Sequence, residues 1–121
     1  MRKLNEGNDN YTSVFVGDEP GQGGACHEYY ISRTDDPDHT PAGEFGHIRF
    51  QNGPVKEFGV NGCHQEDLLA IVVDRLQSFQ TGVFACRENA LALTKIQEAI
   101  HWLNHRTKDR INRGVEGINI V

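Results

Sequence analysis

The spacing of apolar residues changes near the middle of the chain. Up to about residue 60, apolar and aromatic side chains form short runs separated by turns rich in glycine, proline and asparagine, which is typical of β-strands. Beyond that point apolar residues recur every three or four positions, which predicts amphipathic helices. The pattern predicts an α+β fold in a single domain: a small N-terminal antiparallel sheet over about residues 1–60, then a two-helix hairpin over about 61–121.

Four strands are predicted in the first half. They are Tyr11–Val16, His27–Arg33, a segment marked by Phe45, Ile48 and Phe50, and Val55–Val60. The Asn-Gly pair at 52–53 is a hairpin-turn signal, so we expect residues 44–60 to form a β-hairpin. The glycine-rich segment 17–24 and the proline- and aspartate-rich segment 34–43 are expected to be loops.

Two helices are predicted in the second half. The first extends from about Gln65 to Phe79 and is ended by Gly82, and the second extends from about Glu88 to Arg113 without an internal glycine or proline. At 1.5 Å per residue the second helix is about 40 Å long, more than so small a chain covers by itself. We therefore expect this helix to be a dimerisation element.

Three arginines near the end of the second helix form the strongest chemical signal. Arg106, Arg110 and Arg113 are four and three residues apart, so a helix places them on one face, and Gly114 supplies a residue able to end the helix. Guanidinium groups bind phosphates through paired hydrogen bonds. The alternative is a solvated basic helix end that complements the helix dipole.

The charge distribution favours a small anionic ligand over a polymer. The net charge is −5, which argues against a general DNA- or RNA-binding protein. Residues 1–59 contain five Lys/Arg and ten Asp/Glu, whereas residues 60–121 contain seven of each. Residues 106–113 include three arginines, one lysine and one aspartate, which gives a local charge of +3 in an acidic protein.

Other chemical candidates are weaker. His101 and His105 are four residues apart but lack the glutamate and third ligand of a zinc protease helix. Cys26 and Cys63 each precede a histidine, but neither has a second cysteine at ligand spacing. No GxGxxG or Gly-Lys-Ser/Thr motif follows the glycine-rich loop, and no nucleophile has a recognisable triad partner. A binding protein without a cofactor or metal is therefore favoured over an enzyme.

A nucleotide-binding site would use residues at both ends of the hairpin. Phe79 and Phe84 flank the helix–helix turn and provide rings for stacking, Asn89 provides an amide, and Arg106 and Arg110 provide phosphate contacts. Simpler alternatives are that the two rings close the hairpin core and that Asn89 caps the helix. Asn89 and Arg106 are about 26 Å apart along the axis, so they can share a small ligand only between two antiparallel copies.

Compartment signals point to the cytoplasm. No apolar run approaches the roughly 18 residues of a spanning helix, and the N-terminus has no apolar signal-peptide segment, so no membrane association is expected. Three widely separated cysteines argue against a disulfide framework.

Four segments of the chain form a recognisable set of motifs. They are Gly-Pro-Val-Lys-Glu-Phe-Gly-Val-Asn-Gly at 53–62, Glu-Asp-Leu-Leu-Ala-Ile-Val-Val-Asp-Arg-Leu at 66–76, Phe-Ala-Cys-Arg-Glu-Asn at 84–89 and Arg-Thr-Lys-Asp-Arg-Ile-Asn-Arg-Gly-Val-Glu-Gly at 106–117. Together they resemble the phage Thoeris anti-defence proteins of the first type. The closing arginine-rich motif is also similar to the phage anti-CBASS cyclic-nucleotide sponge.

The resemblance implies a sponge that binds a cyclic ADP-ribose isomer without degrading it, so that the immune effector of the bacterial host stays inactive. It implies a homodimer, with assembly in some members to a hexamer built as a trimer of dimers that also binds cyclic di- or trinucleotides. By position in the motifs, Phe79 stacks on the adenine, Asn89 hydrogen-bonds the ligand, and Arg106 and Arg110 bind its phosphates. Arg113 belongs to the same closing motif.

Three other functions are open at this level. In the first, the main cargo is a cyclic di- or trinucleotide. In the second, His101 or His105 supports nucleotide hydrolysis. In the third, the arginines bind acidic side chains of a protein partner.

Arg33 and Arg49 are basic residues of the first half that are available to complete the pocket.

Overall fold

A computed structural model describes residues 2–36 and 40–114 of the chain. The chain divides into two compact units, Met1–Cys63 and His64–Val121, which are described separately below. The first unit contains the sheet, and the second contains the two long helices. The α+β class predicted from the apolar pattern is confirmed.

The first unit is built on a four-stranded antiparallel sheet whose spatial order follows the chain. The strands are β1 (Arg2–Lys3), β2 (Thr12–Val16), β3 (Glu28–Arg33) and β4 (Glu44–Arg49). Three of them match the predicted strands to within a few residues. The two-residue strand β1 was not predicted, because so short a segment has no alternation of apolar and polar positions to detect.

Successive side chains of each strand in this sheet point to opposite faces. The pairs Val14–Ile31 and Tyr29–Ile48 place apolar side chains on one face. On the other face the paired residues Ser13 and Ser32 are each only 1% exposed. The Ser13 hydroxyl has its hydrogen-bond partner in the Thr34 hydroxyl, 2.9 Å away.

The predicted β-hairpin over residues 44–60 is wrong. Val55–Phe58 forms a single helical turn, α1, in place of a fourth predicted strand. Gly53 has a left-handed φ of +85°, and the Pro54 carbonyl accepts the amide protons of Glu57 and Phe58. A contact with Cys63 replaces the expected strand pairing. The Cys63 N–H donates to the carbonyl of Arg49, the last residue of β4, at 2.8 Å.

The second unit is a helical hairpin made of α2 (Gln65–Gln80) and α3 (Arg87–Asn112). Both predicted helices are confirmed. The backbone N–H of His64 donates to the Asp67 carboxylate at 2.8 Å, so the start of α2 is stabilised without a Ser or Thr cap. The thiol of Cys86 accepts the Asn89 amide proton at 3.4 Å and caps α3.

Among the described residues, neither α2 nor α3 contains a fully buried side chain. Apolar side chains on one side of each helix are half-buried, while other apolar side chains of the two helices and their turn are well exposed. The most exposed large apolar side chains of this unit are Ile71, Val83, Phe84, Trp102 and Ile111, each at 57% or more. In residues 2–36 and 40–114, no helix is long and apolar enough to cross a membrane.

Candidate ligand-binding site

The turn between the two helices brings together three of the residues that were selected from the sequence. Phe79 ends α2, and its ring meets the Phe84 ring edge-on, with centroids 6.0 Å apart and planes at 89°. The Asn89 side chain donates to the Phe84 carbonyl at 3.3 Å. Phe79, Phe84 and Asn89 therefore form one cluster, which we call the turn cluster.

The turn cluster is open to solvent although its rings are in contact. Phe84 is 69% exposed and Phe79 is half-buried, so an aromatic surface is available at the end of the hairpin. Asn89 does not cap α3, because Cys86 occupies that position. One of the two simpler alternatives, Asn89 as the helix cap, is therefore removed.

A cation that was not predicted lies over Phe79. The Arg75 guanidinium carbon is 5.2 Å from the centroid of the Phe79 ring, within the range of a cation–π contact. Their spacing of four residues on α2 was the signal in the sequence, because residues at i and i+4 are neighbours on a helix surface. Arg75 therefore occupies part of the ring surface that was expected to bind a base.

The opposite end of α3 bears the arginines, which we call the arginine face. Arg106 is exposed and Arg110 is half-buried, one helical turn further along. Arg113 follows the last helical residue and pairs with Asp109 at 3.6 Å. Gly114 has a φ of +73°, the left-handed conformation expected of a helix stop.

The single helix α3 separates the turn cluster from the arginine face. Asn89 lies in its first turn and Arg106 in its second-last turn, with no break in between. At the helical rise the two residues are about 26 Å apart along the axis. Within one chain the hairpin therefore places the expected base contact and the expected phosphate contacts at opposite ends.

The histidines and cysteines of the described residues are not grouped as metal ligands. His101 and His105 each meet the Trp102 ring edge-on, at centroid distances of 5.5 and 5.9 Å. Across residues 2–36 and 40–114, no group of three or more His, Cys, Asp or Glu side chains is arranged to hold a metal ion. The three cysteines are free thiols.

A polar pocket that was not predicted lies in the first unit, at the end of the sheet. Its volume is about 160 Å³, and it is lined by Asp18, His27, Glu28, Arg49, Phe50, Asn52 and Asn61. His27 is 9% exposed, and its buried Nδ1 has no hydrogen-bond partner among the described residues. The nearest Asp18 carboxylate oxygen is 3.9 Å away, too far for a hydrogen bond.

Asp18 fixes one wall of this pocket. Its carboxylate accepts the backbone N–H of His27 at 2.9 Å and that of Glu28 at 3.1 Å. Burial acts to raise the pKa of Asp18, but the hydrogen bonds from Glu28 and His27 outweigh it and hold the pKa below its ordinary value of 3.8. Asp18 is therefore ionised at neutral pH and ties the glycine-rich loop to the start of β3.

The two arginines of the first half differ in their surroundings. Arg33 donates two hydrogen bonds to the Asp35 carboxylate, at 2.8 and 2.7 Å, so its guanidinium is already engaged. Arg49 lines the polar pocket instead. Of the two, Arg49 is the better placed to meet a ligand in that pocket.

Comparison with known proteins places the helical hairpin in a family. The family described as "Acb2/Tad1, hairpin domain" matches residues 43–108, which is more than half of the chain. The chain is also 57% identical over 76 residues to "Thoeris anti-defense 1" of Bacillus phage SBSphiJ7. That alignment covers 63% of this chain and 54% of the relative, so the chain spans about half the length of the curated relative it matches.

Proposed function

Because the chain belongs to the Acb2/Tad1 hairpin-domain family, we propose that it is a phage anti-defence sponge that sequesters the cyclic ADP-ribose isomer of Thoeris immunity. In this function it acts in the cytoplasm of the infected bacterium and keeps the signal from the immune effector. The main support is the relative named for Thoeris anti-defence, which is 57% identical over the aligned region. The family match includes Phe79, Asn89 and Arg106.

The chemistry of the two ends of the hairpin suits such a ligand. A cyclic ADP-ribose isomer has an adenine base, ribose hydroxyls and a pyrophosphate. An aromatic ring stacks on a base, an amide bonds to hydroxyls or base edges, and guanidinium groups bind phosphate oxygens through paired hydrogen bonds. The turn cluster supplies the first two groups, and the arginine face supplies the third.

Two copies of the chain complete the proposed pocket. The length of α3 prevents Asn89 and Arg106 of one hairpin from holding the same small ligand. An antiparallel pair of hairpins brings the turn cluster of one copy to the arginine face of the other. The absence of fully buried residues in the described parts of α2 and α3 is consistent with a hairpin that buries its apolar surface against a second copy.

The proposed action is sequestration without catalysis. The candidate contacts are arginine, asparagine and phenylalanine side chains. A protonated guanidinium has no site that accepts a proton, and neither an amide nor a phenyl ring is a base near neutral pH. None of these groups therefore serves as a nucleophile or a general base for cleavage of a phosphate or glycosidic bond.

Isothermal titration calorimetry with the ligand produced by a Thoeris TIR-domain protein tests this proposal. We expect saturable binding with one ligand per proposed pocket, and recovery of intact ligand, identified by mass spectrometry, after heat denaturation of the complex. Absence of binding contradicts the sponge function, and recovery of a cleaved ligand contradicts sequestration. Competition with cyclic di- and trinucleotides, together with light scattering, tests whether these ligands are the main cargo and whether the assembly is a hexamer.

A further inference from the structure

Trp102 is a large apolar side chain on α3 that the proposed contacts leave without a role. It is 63% exposed, and it is the single tryptophan of the chain. The rings of His101 and His105 lie edge-on to it, with planes at 72° and 68° to the indole. The indole is thus bordered on two sides by rings while most of its surface is open.

The position of Trp102 on α3 places it beside the arginine face. The half-buried apolar positions of this helix form a different stripe: Leu93, Ile96, Ile100 and Leu103. Trp102 lies off that stripe and four residues before Arg106, so the two side chains are neighbours on the helix surface. An exposed aromatic ring next to a guanidinium group is a combination that recognises nucleotides.

Arg75 reduces the aromatic surface that is available for a base to stack on at the turn cluster. Its guanidinium lies over the Phe79 ring, and Phe84 meets the same ring edge-on. A base that stacks on the remaining surface of Phe79 keeps its own second face uncovered. A second aromatic ring on that side of the base would remove this face from water.

We infer that Trp102 is a ligand-contacting residue that forms the second aromatic wall of the pocket. This inference rests on the proposed function. In an antiparallel pair that brings Arg106 of one copy to Asn89 of the other, Trp102 of the first copy lies one helical turn, about 6 Å, from Arg106 along the axis. It then covers the base-and-ribose part of the ligand while Arg106 and Arg110 bind the phosphates.

Because Trp102 is the single tryptophan of the chain, tryptophan fluorescence reports on its surroundings in the native protein. Titration with the cyclic ADP-ribose isomer is expected to change the Trp102 fluorescence, with the same midpoint as the heat of binding in calorimetry. Calorimetric binding without a change in fluorescence overturns the inference and leaves the sponge function intact. Absence of calorimetric binding overturns the sponge function and the inference together.

Substitution measures what the indole contributes. Removing an aromatic ring that stacks on a base weakens binding by roughly 5- to 150-fold, so we expect that loss for Trp102→Ala and a much smaller loss for Trp102→Phe. Phe45→Ala is the matched control, since Phe45 is also 63% exposed but lies on β4. We expect native affinity for this control.

Light scattering separates a ligand contact from a contact between copies. Trp102→Ala is expected to keep the native oligomeric mass while its affinity falls. If this variant loses the native mass, or binds the ligand as tightly as the native protein, the inference is wrong. The fluorescence titration needs no substitution, so it tests the inference even where a variant does not fold.

Discussion

Asn89 and Arg106 lie near opposite ends of the uninterrupted helix α3 and are separated by about 26 Å along its axis. A site that uses both residues must therefore be shared between copies. Mixing two defective variants tests this directly. In a heterodimer of Asn89→Ala and Arg106→Ala, one pocket contains both native residues and the other contains neither.

After subunit exchange, we expect the mixture to recover native affinity in about one quarter of all pockets, because half of the dimers are mixed and each has one intact pocket. Calorimetry of the mixture, compared with each variant alone, gives this fraction. A pocket formed within one chain predicts no recovery at all.

Arg106 is expected to supply a charge-assisted contact to the phosphates. Arg106→Ala should weaken binding of the cyclic ADP-ribose isomer by about 1.5–3 kcal/mol, or roughly 10- to 150-fold. Lys108→Ala is the matched control, because Lys108 lies in the same turn but on another side of α3. An equal loss in both variants would point to general charge attraction in place of a specific contact.

Phe79 is expected to provide the stacking surface for the base. Phe79→Ala should reduce affinity by about 1–3 kcal/mol, since base–aromatic stacking contributes that much per base. Tyr11→Ala serves as the control, because Tyr11 is an aromatic residue that is 86% exposed in the first unit. Calorimetry under the same salt conditions should show no change for the control, and native affinity in Phe79→Ala would contradict the stacking role.

The ionised Asp18 is expected to make stability depend on pH. Its folded-state pKa lies below the ordinary value of 3.8, so its stabilising effect is fully present above about pH 3.8 and is lost as the pH falls through the folded-state pKa. Asp18→Asn should therefore be less stable than the native protein at neutral pH, and the difference should shrink in acid. Denaturant titrations of the full chain at several pH values measure it, and a difference that does not vary with pH would contradict this role.

Gly62 allows a close approach between two backbone segments. A Cβ at this position would lie 2.7 Å from the Arg49 carbonyl oxygen, so Gly62→Ala should lower the free energy of unfolding by about 1–3 kcal/mol. Gly7→Ala is the control, since a Cβ at Gly7 meets nothing within 4 Å. Chemical denaturation should show little change for Gly7→Ala, and equal stability of the two variants would place the strain elsewhere.

The helices and strands that were predicted correctly are those whose sequences are long or strongly patterned. The spacing of apolar residues was sufficient for α2 and α3, and short runs rich in apolar and aromatic residues were sufficient for β2 and β3. The segment Val55–Phe58 was predicted wrongly because its turn signal and its residues suit a strand locally. The Cys63 segment pairs with the end of β4 in its place, and this pairing depends on residues distant in the chain.

The candidate site, like the fold, was predictable from the sequence only in part. Spacing along one helix was enough to select Arg106 and Arg110, because helical geometry determines which side chains share a face. The contact of Arg75 with Phe79 and the pocket around His27 became visible only in three dimensions. Residue types alone do not tell which side chain covers a ring, or which polar atom is left without a partner.

By itself, the sequence determined the α+β class, the two long helices and the separation of the turn cluster from the arginine face along α3. These features follow from local periodicity and the constant rise of a helix. Only the tertiary structure decided that residues 55–58 form a turn of helix, that Arg75 lies over Phe79, and that the described parts of α2 and α3 have no fully buried side chain. Burial and close contact depend on segments that meet only after the chain has folded.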